Sequence, residues 1–307
     1  MSSKIIEKRL QAIDDVAIPH RQEKFVAAEL EGLYLRGVRK KQAQCMTLTG
    51  PSGAGKTWAL ERFMDQRNAE AVSDDHAEAD HLPVVYVTAP NSASEKALAA
   101  KILRRLGDPA AEKGTSDSLA ERLRWRVETL GTRMIIIDEA HHLVDVRLAN
   151  TAKIRQTAEW MKNLLFDSRC VYVYAGLPTT DQLVKTNEQL ARRCRTSVSL
   201  DGLSFQSRKQ KKFFVKVVDT FIEATGLPLD IPDPDIYRAI HRATDGALGG
   251  LALLFGQAVE EAHKLDLDGI NGDCLANAWT FTPLREMSPN TKELTHNPFS
   301  QFAYKKR

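Results

Sequence analysis

The sequence predicts an α/β domain built on a five-stranded parallel sheet, followed by a small all-helical domain. Three observations carry this reading. Four short apolar runs, 45–49, 84–88, 134–137 and 171–175, are nearly continuous and rich in Val, Ile or Tyr, as strands buried on both faces are. Amphipathic segments at 57–66, 95–106, 118–130 and 152–166 lie between them, and strand alternating with helix argues for a parallel sheet. After Leu203 the strand signals stop and only helical patterns follow.

The elements divide the chain into four stretches. Residues 1–44 are mostly polar, with one helical pattern in Phe25, Leu30, Leu33 and Tyr34, and end in Arg36, Arg39, Lys40 and Lys41. Residues 45–203 hold the four runs and a fifth expected strand at 196–200. Residues 204–282 read as a helical lid, with helices at 210–224, 236–244 and 251–264 separated by Gly226, Pro228, Pro232 and Pro234. From Pro283 the chain is polar, carries Pro289 and Pro298, and ends Lys305-Lys306-Arg307. Residues 283–307 are therefore expected to be a flexible tail, either a disordered end or a tethered peptide in which Asn297-Pro298-Phe299, Phe302 and Tyr304 dock on a partner. The acidic stretch 73–80 reads as a solvated loop.

Composition excludes several classes. The chain has 307 residues, 43 Lys+Arg against 40 Asp+Glu, 43% hydrophobic and 27% charged residues, close to an ordinary globular protein. No run approaches the roughly 20 apolar residues of a membrane span, so no membrane partner is expected. No apolar leader segment is seen, and Cys45, Cys170, Cys194 and Cys274 form no C-x-x-C pair, so a reducing cytoplasmic setting is expected.

The sharpest signal is Gly50-Pro51-Ser52-Gly53-Ala54-Gly55-Lys56-Thr57, which fits the phosphate-loop pattern at every fixed position, between an expected strand and an expected helix. Such a loop curls backbone N–H groups around an anion at a helix N-terminus. Lys56 is expected to reach the β- and γ-phosphates of ATP, and Thr57 to hold Mg²⁺. The run 134–137 ends in Asp138-Glu139. A desolvated carboxylate pair is costly without a cation. Asp138 is expected to hold Mg²⁺ and Glu139 to polarise the attacking water.

Asp138-Glu139-Ala140-His141 also spells the DEAH box of helicases, but only one phosphate-loop domain fits in this chain, and the next strand ends Tyr174-Ala175-Gly176. His141 and His142 are adjacent and cannot form an i, i+4 metal pair on a helix; they read as a polar link to the γ-phosphate region or as plain loop residues.

An arginine cluster, Arg192, Arg193 and Arg195, precedes the fifth strand, and a helical lid follows. That layout is similar to the AAA+ ATPases, in which an Arg of one subunit reaches the nucleotide of the next; Arg193 is the first choice for that catalytic role, then Arg192 and Arg195. Further pieces stand in order: Ile18-Pro19-His20, 84–90 followed by Ser94-Glu95-Lys96, Lys113-Gly114-Thr115, 135–143, Ala175-Gly176, 188–195 and 244–249. With them, the chain over roughly 18–263 resembles the TnsC/TniB AAA+ ATPases that regulate DNA transposition.

That resemblance implies an ATP-dependent regulator that assembles head-to-tail on duplex DNA as a ring or filament. It would sit between a target selector of the TniQ or TnsD type and a DDE transposase of the TnsB or TniA type, and ATP hydrolysis would reset it. It also implies DNA backbone contacts from Lys96 and Thr115, a cation and a hydroxyl of the kind phosphates take.

Two departures from the family pattern bear on turnover. Gly176 is followed by Leu177 rather than a Thr, with Thr179 and Thr180 the nearest hydroxyls, and Gly249-Gly250 stands where lids often carry an arginine. Slow hydrolysis is the expectation. The clusters Lys101/Arg104/Arg105, Arg122/Arg124/Arg126 and Arg208/Lys209/Lys211/Lys212 read as solvated faces unless one faces DNA, and Trp125 reads as core. The competing readings are a helicase loader or another ATP-gated remodelling scaffold.

Overall fold

In a computed structural model of the chain, residues 3–18, 21–38, 44–72, 81–91, 94–144, 151–168 and 170–303 are described here. The acidic stretch 73–80, the basic residues 39–41, Pro19-His20 and the terminal residues 304–307 lie outside them. The chain forms two compact units, one comprising Met1–Pro19, Pro51–Gly55 and Asp201–Arg307, the other His20–Gly50 and Lys56–Leu200. The first 44 residues and the lid boundary thus divide differently from the sequence reading.

The second unit carries the sheet. Its strands are β1 (Cys45–Thr49), β2 (Val84–Thr88), β3 (Met134–Asp138), β4 (Val171–Gly176) and β5 (Cys194–Ser199), all parallel, in the order β2-β3-β4-β1-β5. Every residue of β1, β3 and β4 is buried, which is why these strands read as continuous apolar runs rather than alternating ones. Edge strand β5 alternates Thr196, Val198 with exposed neighbours and starts two residues earlier than expected.

The helices of this unit are α2 (Arg21–Val38), α3 (Lys56–Val72), α4 (Glu95–Arg105), α5 (Ser116–Thr129), α6 (Thr151–Ser168), α7 (Asp181–Lys185) and α8 (Glu188–Arg193), numbered after an N-terminal α1 (Ser3–Asp14). Helix α2 buries Val26, Leu30, Leu33 and Tyr34, spaced i, i+4, i+7, i+8, whereas Phe25 is 51% exposed, so the apolar stripe is set one residue along from the one read from sequence. Ser94 caps α4 and Thr115 caps α5, each side-chain oxygen accepting an N–H of the first turn. Trp125, expected in the core, is 57% exposed with the Arg126 guanidinium 5.2 Å from its ring.

The other unit is helical: α1, α9 (Arg208–Thr225), α10 (Ile236–Thr244), α11 (Leu248–Lys264), α12 (Gly272–Phe281) and α13 (Pro289–Lys292). A capping box between Ser207 and Gln210 starts α9, and Gly226 in the left-handed region ends it. Phe214, Phe221, Ile240, Leu254, Phe255, Leu275 and Ile13 fill one apolar core.

The stretch expected to be a flexible tail belongs to that core. Leu284 and Phe299 are fully buried, and Met287, Leu294 and Phe302 pack against the cluster. Asn297 Nδ2 donates to the Ala276 carbonyl of α12 at 2.8 Å, while its Oδ1 accepts the Phe299 N–H at 2.9 Å. Gly272 lies so close to the Phe302 backbone that any Cβ would fall 1.9 Å from the carbonyl oxygen. Asn297-Pro298-Phe299 is therefore bound to its own chain. Burying a phenylalanine is worth about 1.5–3 kcal/mol, enough to pin a polar segment of this length at one point.

Candidate functional site

All five strands are parallel, so their C-terminal ends share one edge, where open α/β sheets bind ligands. β1 ends at Thr49 and β3 at Asp138, separated in the sheet by β4. Gly50 donates its N–H to the Gly176 carbonyl at 3.2 Å, and Leu200 donates to Thr49 at 2.7 Å, so the edge is closed by backbone hydrogen bonds.

Asp138 is almost fully buried and accepts three hydrogen bonds. Thr57 Oγ1 and Tyr86 Oη donate to Oδ2 at 2.6 and 2.7 Å, and the Glu139 N–H donates to Oδ1 at 2.8 Å. The sequence reading paired Thr57 with Asp138 but missed Tyr86, hidden inside a run that looked like plain buried strand. Burial, reinforced by the Asp138 contact, pushes the Tyr86 phenol far above its ordinary range, so it stays a donor.

Lys56 is 6% exposed and donates to the Gly50 carbonyl at 2.9 Å. Burial lowers its pKa, opposed by the nearby negative charges of Glu139 and Asp138. A cation held in this way is suited to an anion that brings more negative charge than the protein supplies. Thr57 and Asp138 offer hard oxygen donors, which fits Mg²⁺.

Glu139 sits just beyond β3 with φ 53°, in the left-handed region. For a residue with a Cβ this costs of the order of 1–2 kcal/mol, and such strain concentrates at functional positions. The bend turns its carboxylate to His141, whose Nδ1 lies 3.2 Å from Oε2. The Leu177 N–H also points at Nδ1, at 3.5 Å. One nitrogen cannot donate to the carboxylate and accept from an amide together, and only the Leu177 contact is a hydrogen bond, so Nδ1 is the acceptor and Glu139 lies beside the ring. Burial lowers the His141 pKa despite Glu139, which keeps the ring neutral at pH 7. A 3₁₀ turn over Ala140–Leu143 sets the rings of His141 and His142 4.2 Å apart. The donor atoms of Glu139, His141 and His142 lie within 4.8 Å of one another, a grouping that helical spacing does not reveal.

Thr180 is fully buried and its Oγ1 has no hydrogen-bond partner among the described residues. A Cβ on Gly176 would fall 2.6 Å from that oxygen and 3.1 Å from His141 Nδ1, so Gly176, Thr180 and His141 crowd one point.

The rest of the loop, Ser52, Gly53, Ala54 and Gly55 after Pro51, belongs to the helical unit. Gly53 and Gly55 have φ 71° and 93°, which glycine alone adopts without strain. The Gly249 N–H donates to the Gly53 carbonyl at 2.8 Å, and a Cβ on Gly249 would lie 2.9 Å from Gly53 Cα. Of the glycine pair that departs from the family pattern, Gly249 meets the loop backbone, whereas a Cβ on Gly250 would fall 3.1 Å from Thr244 Cβ at the end of α10.

The other candidates lie on or beside α4, α5, α8 and β5. Arg193 closes α8, half-buried; Arg192 faces Glu188 at 3.9 Å, and Arg195 is exposed. Lys96 is exposed in the first turn of α4. Thr115 is exposed, its oxygen accepting the Ser118 N–H at 3.3 Å. Of the basic clusters, Arg122 is bound to Asp108 and to the carbonyls of Lys113 and Ala110, and Arg104 pairs with Glu112, so both brace the segment after α4. Arg208, Lys209, Lys211 and Lys212 are exposed on the first turns of α9.

The model of the bacterial TniB protein family matches residues 9–200. The chain belongs to the TniB family. No curated protein matches it. Among solved structures, the TniB chain is similar to the ORC1 protein of Aeropyrum pernix in complex with DNA, with a TM-score of 0.63 and 18% identity, over 89% of this chain and 69% of that one. It is also similar to the ORC2 protein of that organism in ADPNP and ADP complexes, with a TM-score of 0.61 and 15% identity, over 88% and 71%. Drosophila ORC bound to DNA matches with a TM-score of 0.58 and 12% identity, over 91% and 66%. The fold of this TniB protein is that of these ORC proteins. No helix among its described residues is long and apolar enough to cross a membrane.

Proposed function

We propose that this TniB protein is an ATP-dependent, DNA-binding regulator of transposition. It assembles on duplex DNA, links a target selector of the TniQ or TnsD type to a DDE transposase of the TnsB or TniA type, and is reset by ATP hydrolysis. The observation that carries the reading is the meeting of Lys56, Thr57, Asp138 and Glu139 at the ends of β1 and β3 in a chain of this family.

The loop Gly50–Thr57 holds the triphosphate through backbone N–H groups, and Lys56 neutralises its β- and γ-phosphates. Thr57 and Asp138 are the residues that would hold Mg²⁺, which draws negative charge from the phosphoryl oxygens when bound. Glu139 accepts a proton from the attacking water. Neutral His141 lies beside that carboxylate without cancelling its charge. Arg193, or its neighbour Arg192 or Arg195, reaches the nucleotide of the adjoining subunit. Head-to-tail contact of this kind builds a ring or a helix.

Lys96 and Thr115 contact the DNA backbone and read no sequence. The DNA complexes of the fold relatives support a nucleic-acid partner. Substituting Glu139→Gln tests the reading. The variant should bind ATP and duplex DNA normally, lose turnover by about 10²–10⁴-fold, and stay on DNA after free ATP is removed. A variant that leaves DNA as fast as wild type would refute reset by hydrolysis and favour a helicase loader or an ATP-gated scaffold.

A further inference from the structure

The second unit contains a thiol pair that the nucleotide chemistry does not use. Cys45 opens β1 and Cys194 opens β5, and the two are register partners on neighbouring parallel strands. Neighbouring strands run about 4.7–4.9 Å apart. That spacing lies inside the 4.4–6.8 Å window over which two Cα atoms can be joined by a disulfide. Cys45 belongs to the apolar cluster of this unit and Cys194 packs against it. The register slips between Cys45 and Met46, so the pair sits at an irregularity, where the ladder is more yielding than in mid-strand.

The pair is asymmetric. Cys45 is fully buried, whereas Cys194 is partly exposed and is the one member an outside reagent can reach. The neighbouring Cys45 thiol and then the backbone at Thr47 and Thr196 favour the Cys194 thiolate, while in the thiol form Cys194 Sγ donates to the Thr196 carbonyl at 3.6 Å. Together they outweigh burial and hold the Cys194 thiol below its ordinary value. The nearness of Cys194, with burial, pushes Cys45 up. Cys194, the member that solvent reaches, is therefore the attacking thiol and buried Cys45 the resolving one.

We propose that Cys45 and Cys194 form a peroxide-sensitive pair whose disulfide ties the start of β5 to the start of β1. The Cys194 thiolate attacks one oxygen of hydrogen peroxide and the O–O bond breaks. Cys194 becomes a sulfenic acid, and the departing hydroxide takes a proton to become water. The Cys45 sulfur then attacks the Cys194 sulfur, gives up its proton, and expels the sulfenic oxygen as a second water. Two thiols are oxidised to one disulfide and one peroxide is reduced to two waters. Cys194 lies between Arg193 and Arg195. Resting on the function proposed above, the bridge fixes the turn that presents these arginines to the next subunit.

The test treats the full chain, reduced and then freed of reductant, with hydrogen peroxide in native buffer, and maps the unreduced peptides by mass. The expected result is a Cys45–Cys194 linked peptide lighter by two hydrogens and restored by dithiothreitol. Cys45→Ala should stop at a sulfenic acid on Cys194 that dimedone traps, and Cys194→Ser should leave Cys45 unmodified. Absence of the linked peptide with no trapped sulfenic acid in Cys45→Ala, or equal oxidation of Cys45 in Cys194→Ser, would overturn the proposal. ATP turnover on DNA is recorded separately. It should fall several-fold in the bridged protein and recover on reduction, and an unchanged rate with the bridge formed would overturn the coupling to the arginines.

Discussion

Gly249 donates its backbone N–H to the carbonyl oxygen of Gly53 at 2.8 Å, which joins the first turn of α11 to the apex of the phosphate loop. Only a residue without a Cβ allows the approach, because a methyl group on Gly249 would sit 2.9 Å from Gly53 Cα. The obstacle is backbone, which cannot rotate away. Gly249→Ala should therefore displace the loop or the lid at a cost of about 1–3 kcal/mol. A loss of 1.4 kcal/mol corresponds to about tenfold weaker ATP binding, measurable by titration calorimetry. Unchanged affinity would mean that the contact does not position the loop.

Tyr86 makes a second prediction. Its hydroxyl is one of three donors on Asp138, and Tyr86→Phe keeps the ring while removing the donor. Partners of a metal-holding carboxylate typically matter by about 10–100-fold in metal affinity or activity. The variant should need more magnesium for half-maximal turnover, with its Tm little changed. A wild-type magnesium titration would show that Thr57 and the Glu139 amide suffice to orient the carboxylate.

Phe299 tests the packed C-terminal segment. Phe299→Ala should destabilise the helical unit by about 3–5 kcal/mol, as read by chemical denaturation. Were 283–303 a loose tail, the same change would leave stability within error of wild type.

The histidines give stability a pH dependence. Burial is the first cause in holding both His141 and His241 below the ordinary 6.5. As pH falls past that value, the unfolded chain takes up protons before the folded one does, so stability drops with falling pH. The Tm should decline between about pH 7 and about pH 5, and the double variant His141→Asn, His241→Asn should flatten that slope. A Tm that rises on acidification would contradict the assigned direction.

The parts that were legible in the sequence share a physical cause. Strands β1, β3 and β4 are buried on both faces, so burial alone wrote them as apolar runs. The meeting of Thr57 and Asp138 was legible because the loop motif and the strand-end carboxylate restrict residue type and spacing at once. Helix α1 was missed although Ile6, Leu10 and Ile13 form a stripe at i, i+4, i+7, because the stripe is thin and its neighbours are charged. Tyr86 was missed because its role depends on the strand order, which sets β2 beside β3. The packing of Phe299 was missed because polar, Pro-punctuated composition describes a segment's neighbours in sequence and says nothing of the α12 surface it meets. Nothing in residue type foretold the left-handed backbone at Glu139, a product of how β3 ends.

ATP-dependent assembly on DNA is read by sedimentation of the purified protein with duplex DNA, with and without ATP or a slowly hydrolysed analogue, at two salt concentrations. Large assemblies should require both nucleotide and DNA, weaken as salt rises, and be lost in Lys56→Ala and reduced in a Lys96→Ala, Thr115→Ala variant. Assemblies that form with nucleotide alone and ignore DNA would contradict the requirement for DNA.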